Sequence, residues 1–466
     1  MMARTSFFLT IASALVLCGC IKGPNYSRPQ VDVPAAYHGQ DNAAGAASTE
    51  SLGNAKWWTV FEDQELQKLI RVALAENFDV RIAATRVLQA TESVEIARSN
   101  QYPTLSGGIL VTGQREPNGS GGTATYNIPE LGVSGSWDID FWGKYRRLTE
   151  AARAELMATE WGRRAVVESL VSSVASAYFD LRELDLELEI SRRTLASRED
   201  SLQLTRTLVD GGAAPLSDQR QAEQLVETAA AAIPDLERAI AQQENAINIL
   251  LGRNPGVTIA RGLSLSDQPI PQVPPAGIPS ALLARRPDIG QAEQNLIAAN
   301  ARIGVARAAF FPEISLTAIG GIASSSLTTL FRGASRAWNY TASVMEPIFT
   351  KGRLDANLRL VEAQHEQALL QYQQAIQQSF RDVSDALIAY QKLHEFRAHR
   401  EKLLDAARDA SQLSRMRYQG GATSYLEVLT NETNYFSAEL GAAGALLRER
   451  LALVQLYSAL GGGWEQ

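Results

Sequence analysis

From Leu131 to Phe141 the chain alternates in character. Leu131, Val133, Gly135, Trp137, Ile139 and Phe141 fall on one parity, and Gly132, Ser134, Ser136, Asp138 and Asp140 on the other. A period of two marks a strand with one apolar and one polar face. Leu105 to Thr112, Ile314 to Ala318 and Trp338 to Met345 alternate similarly but less cleanly. The Gly- and Ser-rich segments 113–122 and 320–326 are expected as hairpin turns. Elsewhere the period is 3.6. Leu69, Ile70, Ala73 and Leu74 open a helix expected over about 69–99, and Leu296, Ile297 and Ile303 lie in one expected over about 279–309. Pro103 and Pro312 stop them. Each strand pair is followed by two longer helices, over about 144–210 and 215–251, then about 352–419 and 423–460. At ~1.5 Å per residue the longest reach roughly 100 Å. The shorter helices, about 31 and about 37 residues, together match the long one, so they are expected end to end beside it. Pro234 is expected to kink its helix, whereas the second copy has Ala443 there.

That second copy is a duplication at a constant offset of 209. Asp79, Ala83, Ala90, Ala97, Arg98, Pro103 and Ser106 meet Asp288, Ala292, Ala299, Ala306, Arg307, Pro312 and Ser315. The register holds downstream: Gly143 meets Gly352, Arg206 meets Arg415, Gly211-Gly212 meets Gly420-Gly421, and Gly252 meets Gly461. Two repeats are expected, 69–254 and 278–466, joined by a Pro- and Gly-rich extended linker over 255–277. Residues 20–68 are expected to be a lipidated N-terminal extended segment.

Composition narrows the class. With 45% hydrophobic and 20% charged residues the chain is expected to fold. Residues 1–19 read as a signal peptide: Arg4, then an apolar run from Phe7 to Leu17 too short to span a bilayer. The ending Leu17-Cys18-Gly19-Cys20 matches bacterial lipoprotein processing, so Cys20 is expected to carry lipid. Ile21 follows it, rather than an Asp that would favour inner-membrane retention, so the outer membrane is expected. No Cys lies beyond Cys20, which excludes disulfides and thiolate metal sites from the mature chain. The formal net charge of −7, or −8 once Arg4 leaves with the signal, argues against nucleic acid as partner. No apolar run is long enough for a transmembrane helix. Any spanning structure must then be a β-barrel.

Four strands cannot close a barrel alone, since a filled one needs about eight. Three copies give twelve, and two would leave almost no lumen. The polar parity, with Ser134, Ser136, Asp138 and Asp140 joined by Thr112 and Gln114, suits a water-filled interior. Trp137, Phe141, Trp142, Trp338 and Tyr340 suit an aromatic girdle.

Several stretches carry a family resemblance. They are Cys20 to Tyr26 (CIKGPNY), Trp57-Trp58 through Phe61-Glu62-Asp63, and Leu66 to Asp79 (LQKLIRVALAENFD). Phe141-Trp142-Gly143-Lys144, Ile233-Pro234-Asp235-Leu236, Glu346-Pro347-Ile348-Phe349, the two Pro stops and the paired glycines belong with them. Together they resemble the outer-membrane factor (TolC-like) family, in its lipidated NodT/OprM-type branch. The resemblance implies a mainly α fold with a membrane β-barrel, built from duplicated helix–strand–strand–helix–helix repeats. It implies a trimeric twelve-stranded outer-membrane barrel continuing into a long periplasmic α-helical barrel. The expected function is the exit duct of a tripartite efflux pump, with a periplasmic adaptor protein and an inner-membrane transporter of the resistance-nodulation-division type as partners.

The tip of each long hairpin is the second candidate site. Gly211-Gly212 and Gly420-Gly421 supply the backbone freedom that reversal between helices needs. Three chains place six such turns in a ring, matching a sixfold or pseudo-sixfold adaptor. Asp218 and Glu427, at equivalent positions, fall in the first turns of their helices, where carboxylates are favoured. The resemblance implies that they form an acidic ring at a gate. Tyr418, Arg415 and Arg206, near the bends, are candidates to hold the hairpins shut. Thr423 and Thr430 stand where some family members carry a basic residue and a second acid.

Catalytic chemistry is not indicated. There is no GxxxxGK[ST], GxSxG, HExxH or CxxC motif, and His38, His365, His394 and His399 are scattered. No cofactor or metal is expected. Two other readings stay open: an exit duct for type I protein secretion, and a periplasmic adaptor. An adaptor would show one helical hairpin between β-rich halves, not a duplicated unit.

Overall fold

The computed structural model describes residues 21–39, 51–117, 119, 121–269 and 276–464. Cys20 lies outside them. In chain order the elements are α1 (Trp57–Val60), α2 (Gln64–Glu76), α3 (Phe78–Ser99), β1 (Thr104–Pro117), β2 (Thr123–Ile139), α4 (Lys144–Asp210) and α5 (Leu216–Leu250). The second half follows with α6 (Pro279–Arg285), α7 (Pro287–Ala308), β3 (Glu313–Ala323), β4 (Arg336–Met345), α8 (Arg353–Gln419) and α9 (Tyr425–Ala459). The offset of 209 survives in the backbone. The two long helices have 67 residues each and their partners 35 each. The positive φ values repeat too, at +80° for Gly143 and Gly352, +72° and +70° for Gly212 and Gly421, and +71° and +73° for Gly252 and Gly461.

Two expectations are corrected. The helices expected over 69–99 and 279–309 are each broken in two, at Asn77 (ψ 134°) and Arg286 (ψ 125°). Pro287 drives the residue before it out of the helical region. In the first repeat Asn77 does the same work by another route: its Oδ1 accepts the N–H groups of Asp79 (2.7 Å) and Val80 (3.3 Å), capping α3. The strands also run past their apolar cores. β1 reaches Pro117 and β3 reaches Ala323, because Gly113, Gln114 and Gly320 are still paired through their backbones to Asn127, Tyr126 and Trp338. Pro234 sits inside α5, which continues through it from Leu216 to Leu250.

The chain folds into two compact units. The first comprises Arg86–Glu160, Gln291–Gln374 and the chain up to Gln30. It holds the antiparallel sheet β1-β2-β3-β4, whose outer strands each keep one unpaired edge. Ile21 to Gln30 crosses this unit as a strap. Gly23 approaches the Gly304 backbone of α7 so closely that no Cβ would fit between them. Arg147 donates to the carbonyls of Lys22 (3.2 Å) and Gly23 (3.3 Å) and to the Asn25 side chain (2.8 Å). Tyr26 and Arg28 both donate to Glu293, at 3.1 and 2.7 Å.

The second unit comprises Val31–Thr85, Trp161–Gly290 and Ala375–Gln466. Its core packs Leu66, Ile70 and Ala73 of α2 against Val174, Tyr178 and Leu181 of α4, Ile247 of α5, Val383 of α8 and Leu456 of α9. Asp63, 1% exposed, is the polar centre of this core. Its carboxylate accepts the N–H groups of Glu65 (2.8 Å), Leu66 (3.3 Å) and Leu263 (2.9 Å), the Tyr178 hydroxyl (2.9 Å) and the Gln268 amide (2.7 Å). The described part of the segment after α5, up to residue 269, carries no helix or strand and is fastened to the core. Ile259 and Leu265 are buried, and Arg450 donates to the carbonyls of Leu265 (3.2 Å) and Gln268 (2.5 Å).

Candidate functional site

The sheet separates two chemistries. The register places Ser134 beside Ser106 and Ile319, Ser136 beside Thr104 and Thr317, and Asp138 beside Ser315. β4 adds Ser343, Thr341 and Asn339 to this face, and Ser315 and Ser343 share a hydrogen bond of 2.7 Å. The opposite face carries Leu131 beside Ile109 and Ile322, Trp137 beside Leu316, Ile139 beside Ile314, and Val344 beside Ile314 in turn. Much of this face is exposed in a single chain: Ile109 is 75% exposed, and Leu105 and Trp338 on the same face 77% and 76%. So large an apolar face on one side of a sheet, with Ser and Thr on the other, is the pattern of a barrel wall between lipid and water.

Ser134, Ser136 and Asp138 lie on the polar face, with Thr112 and Gln114 of β1. Asp140 does not. β2 ends at Ile139, and the Asp140 carboxylate turns to the start of α4, accepting the N–H groups of Tyr145 (3.1 Å) and Arg146 (2.8 Å) and pairing with the Arg146 guanidinium (3.2 Å). A helix start carries orphan N–H groups and positive potential, so a carboxylate there caps the helix rather than lining a strand. Asp138 is tied to the same helix start through the Tyr145 hydroxyl, at 3.0 Å. The expected aromatic girdle also divides. Trp338 and Tyr340 stack on each other (6.0 Å between centroids, 7°) on the apolar face. Trp142 instead stacks on Phe311 (4.7 Å) and donates its indole N–H to the Pro312 carbonyl (2.9 Å). The Lys22 ammonium stands 4.5 Å from the Phe311 centroid.

The two hairpin turns share three backbone hydrogen bonds. Gly211, Gly212 and Ala213 donate to the carbonyls of Thr207, Val209 and Leu208, and Gly420, Gly421 and Ala422 to those of Met416, Tyr418 and Arg417. Behind the turns, Leu202, Ala222, Tyr425 and Val428 form a small core with Tyr418 packed on it. The ring of Tyr418 lies edge-on to Tyr425 at 5.3 Å. Burial, then the neighbouring Asp218 carboxylate, raises the Tyr418 pKa. Arg415 joins the two hairpins: its Nε donates to Glu432 (2.6 Å) and its Nη2 to the Ser197 hydroxyl of α4 (2.7 Å).

The other tip residues depart from expectation. Arg206 stays within its own hairpin, 3.5 Å from Glu223, where Arg220 (2.6 Å) and Gln219 (3.0 Å) also converge. Those hydrogen bonds, Gln219's largest, hold the Glu223 carboxyl below its ordinary pKa. Glu427 is ion-paired within its own hairpin: Arg417 pairs with it at 2.7 Å and Thr423 donates to it. The Asp218 carboxylate instead accepts the Ser217 hydroxyl at 3.4 Å and stands near Tyr418 of the other hairpin. Arg417, Glu432 and Ser197 carry tip contacts that sequence reasoning missed. The one available signal was asymmetry, since the first repeat has Leu208 and Ala214 where the second has Arg417 and Thr423.

Among the described residues no helix is long and apolar enough to cross a membrane, and no group of three or more His, Cys, Asp or Glu is placed to hold a metal ion. A four-stranded sheet with both edges open is one third of a twelve-stranded barrel that three copies complete.

The family model for outer membrane efflux protein matches residues 69–253 and again 278–462. The cation efflux system protein CusC of Escherichia coli O6:H1 is 36% identical over 458 residues, covering 98% of this chain and 99% of that one. The toluene efflux pump outer membrane protein TtgC of Pseudomonas putida is 35% identical over 472 residues, covering 99% and 96%. The open-state MtrE outer membrane channel of Neisseria gonorrhoeae superposes with a TM-score of 0.87 at 33% identity, covering 96% of this chain and 99% of that one. On strand chemistry, duplicated repeat and these likenesses together, the chain belongs to the outer membrane efflux protein family and is the outer-membrane exit duct of an efflux pump, a channel and not an enzyme.

Proposed function

We propose that this duct receives small-molecule cargo from an inner-membrane transporter of the resistance-nodulation-division type through a periplasmic adaptor, and that contacts between its hairpin tips gate the periplasmic mouth. The observation carrying the gate is the hydrogen bond between hairpins from Arg415 to the Ser197 hydroxyl, 2.7 Å, with Tyr418 standing near the Asp218 carboxylate across the same seam. The paired turns of Gly211-Gly212 and Gly420-Gly421 are the surface offered to the adaptor. The names of CusC and TtgC cite cations and toluene at nearly equal identity, which supports a duct whose cargo is chosen by the pump. Cys20 is the proposed lipid anchor. In support, Lys22 is held at the strand-to-helix junction, its N–H donating to the Trp142 carbonyl at 3.1 Å. A lipid on Cys20 would then enter the membrane beside the barrel.

Single-channel recording of the purified trimer in planar bilayers tests the gate. Arg415→Gln with Tyr418→Phe is expected to lengthen open times. Asp218→Ala is expected to lower cation preference and divalent block more than Glu427→Ala, because Glu427 is already paired. Unaltered open times in the double variant would sink the gate assignment. Mass spectrometry of the mature N-terminus tests the anchor, and an unmodified Cys20 would overturn it.

A further inference from the structure

A cavity of about 230 Å³ opens between α4, α8 and α9, above the second tip. It far exceeds the about 10–15 Å³ that one water needs. Four guanidinium groups, from Arg193, Arg198, Arg408 and Arg415, line it against two carboxylates, from Glu432 and Glu439. Two of the cations are matched: Arg193 pairs with Glu439 at 2.5 Å and Arg415 with Glu432 at 2.6 Å. Arg408 reaches in from the rim, with exposed Asp405 as its ion-pair partner at 3.4 Å. Arg198 is different. It is 3% exposed, its Nη1 donates to the Leu225 carbonyl (2.8 Å), and its guanidinium lies 4.9 Å from the Phe436 ring centroid. Its Nε has no hydrogen-bond partner. Burial lowers its pKa, only partly offset by Glu432. A buried donor and an excess of positive charge are costly unless an anion meets them.

The carboxylates decide which anion. Oε2 of Glu432 and Oε2 of Glu439 are both buried without a donor. A fully deprotonated anion would meet them lone pair to lone pair. An anion that keeps a proton can accept from the guanidinium groups and donate its O–H to a carboxylate. We propose that this cavity binds a protonated tetrahedral oxyanion of the hydrogen phosphate class, with Arg198 as the buried anchor and Glu432 or Glu439 as acceptor of its O–H. Because Arg193 and Arg198 come from one hairpin and Arg408 and Arg415 from the other, the bound anion would brace the two hairpins above the gate.

The test uses the full-length protein in detergent. Inorganic phosphate and sulfate are titrated at matched ionic strength, with binding read by calorimetry and by the thermal midpoint. Phosphate should bind saturably and raise the midpoint with the logarithm of its concentration. Sulfate should bind at least about ten-fold more weakly, as expected for a pair of unmet acceptors. Arg198→Met should abolish the phosphate effect, and Arg238→Gln, an exposed residue outside the cavity, should leave it intact. Glu432→Gln replaces an acceptor with a group that can also donate, and should narrow the gap between phosphate and sulfate. Absence of saturable phosphate binding, equal binding in Arg198→Met, or sulfate binding as tight as phosphate would each overturn the proposal.

Discussion

Replacing Asp63 by Ala should be among the most damaging single changes in the second unit. The carboxylate is 1% exposed and meets five donors from four places in the chain: its own helix start, Tyr178 of α4, the Leu263 backbone and Gln268. Removing it orphans them together. A buried donor left unmet costs about 1–3 kcal/mol, and losing an N-cap acceptor about 1 kcal/mol. Those costs do not add, because water can enter the space left by the side chain and the two helix-start N–H groups share one oxygen. A total of about 3–5 kcal/mol follows, at the upper end for a point change. Asp63→Asn keeps the volume and one acceptor oxygen and should cost about half as much. Tyr178→Phe removes one donor to Asp63 and the acceptor of the Gly262 N–H (2.8 Å), and should cost about 1–2 kcal/mol. Detergent-solubilised protein would be melted at several scan rates, since unfolding of so large an assembly is governed by its rate. The fraction of heat-resistant oligomer on gels would be followed alongside. The order Asp63→Ala, Asp63→Asn, Tyr178→Phe is expected in both measurements. If Asp63→Ala fell within about 0.5 kcal/mol of the parent protein, this account of the core would be wrong.

Single-cysteine substitutions along β2 should label alternately with a water-soluble thiol reagent. Ser134→Cys should react and Val133→Cys should be shielded by lipid, so equal labelling of these neighbours would remove the barrel assignment. Glu168 accepts a hydrogen bond from Ser458 at 2.8 Å and burial pushes its carboxyl up to about 7. The folded state therefore binds this proton more tightly than the unfolded state. The contribution of Glu168 to stability is greatest below the ordinary carboxylate range and is lost as pH rises through about 7. Glu168→Gln should flatten that dependence and stabilise the protein at pH 8 by about 1–3 kcal/mol, measured by thermal melts across pH. Gly421, at φ +70°, should lose about 1–2 kcal/mol on replacement by Ala, seen as increased protease nicking at the second tip but not the first.

Long-period features were the most legible in the sequence. The long first-repeat helix has the bounds that its periodicity indicates, Lys144 to Asp210, because Gly143 and Gly211-Gly212 punctuate it unambiguously. Strand parity was equally plain from Leu131 to Ile139, where each apolar position of β2 repeats the same choice between lipid and water. What escaped were decisions made by one hydrogen bond. Asn77 looks like an ordinary polar residue within a helical pattern, and only its cap to Asp79 and Val80 reveals the break. Asp140 continues the alternation perfectly, yet the strand stops one residue earlier and the carboxylate serves α4. At the tip, the pairing of Arg417 with Glu427 spans a reversal, so neither strand nor helix periodicity could announce it.

The strap from Ile21 to Arg28 has a consequence for assembly. Its backbone is nailed down by Arg147 and by the contact of Gly23 with Gly304, and its side chains by Glu293, beginning two residues after Cys20. A lipid on Cys20 would therefore hang from a leash without slack. Each newly folded protomer would be held at one depth in the leaflet, with its sheet already facing the bilayer. The search for two more copies then becomes a lateral diffusion problem in a thin layer, where the local concentration of open strand edges is far above that in the periplasm. Lengthening the leash between Cys20 and Lys22 would slow trimer formation while leaving the finished duct unchanged.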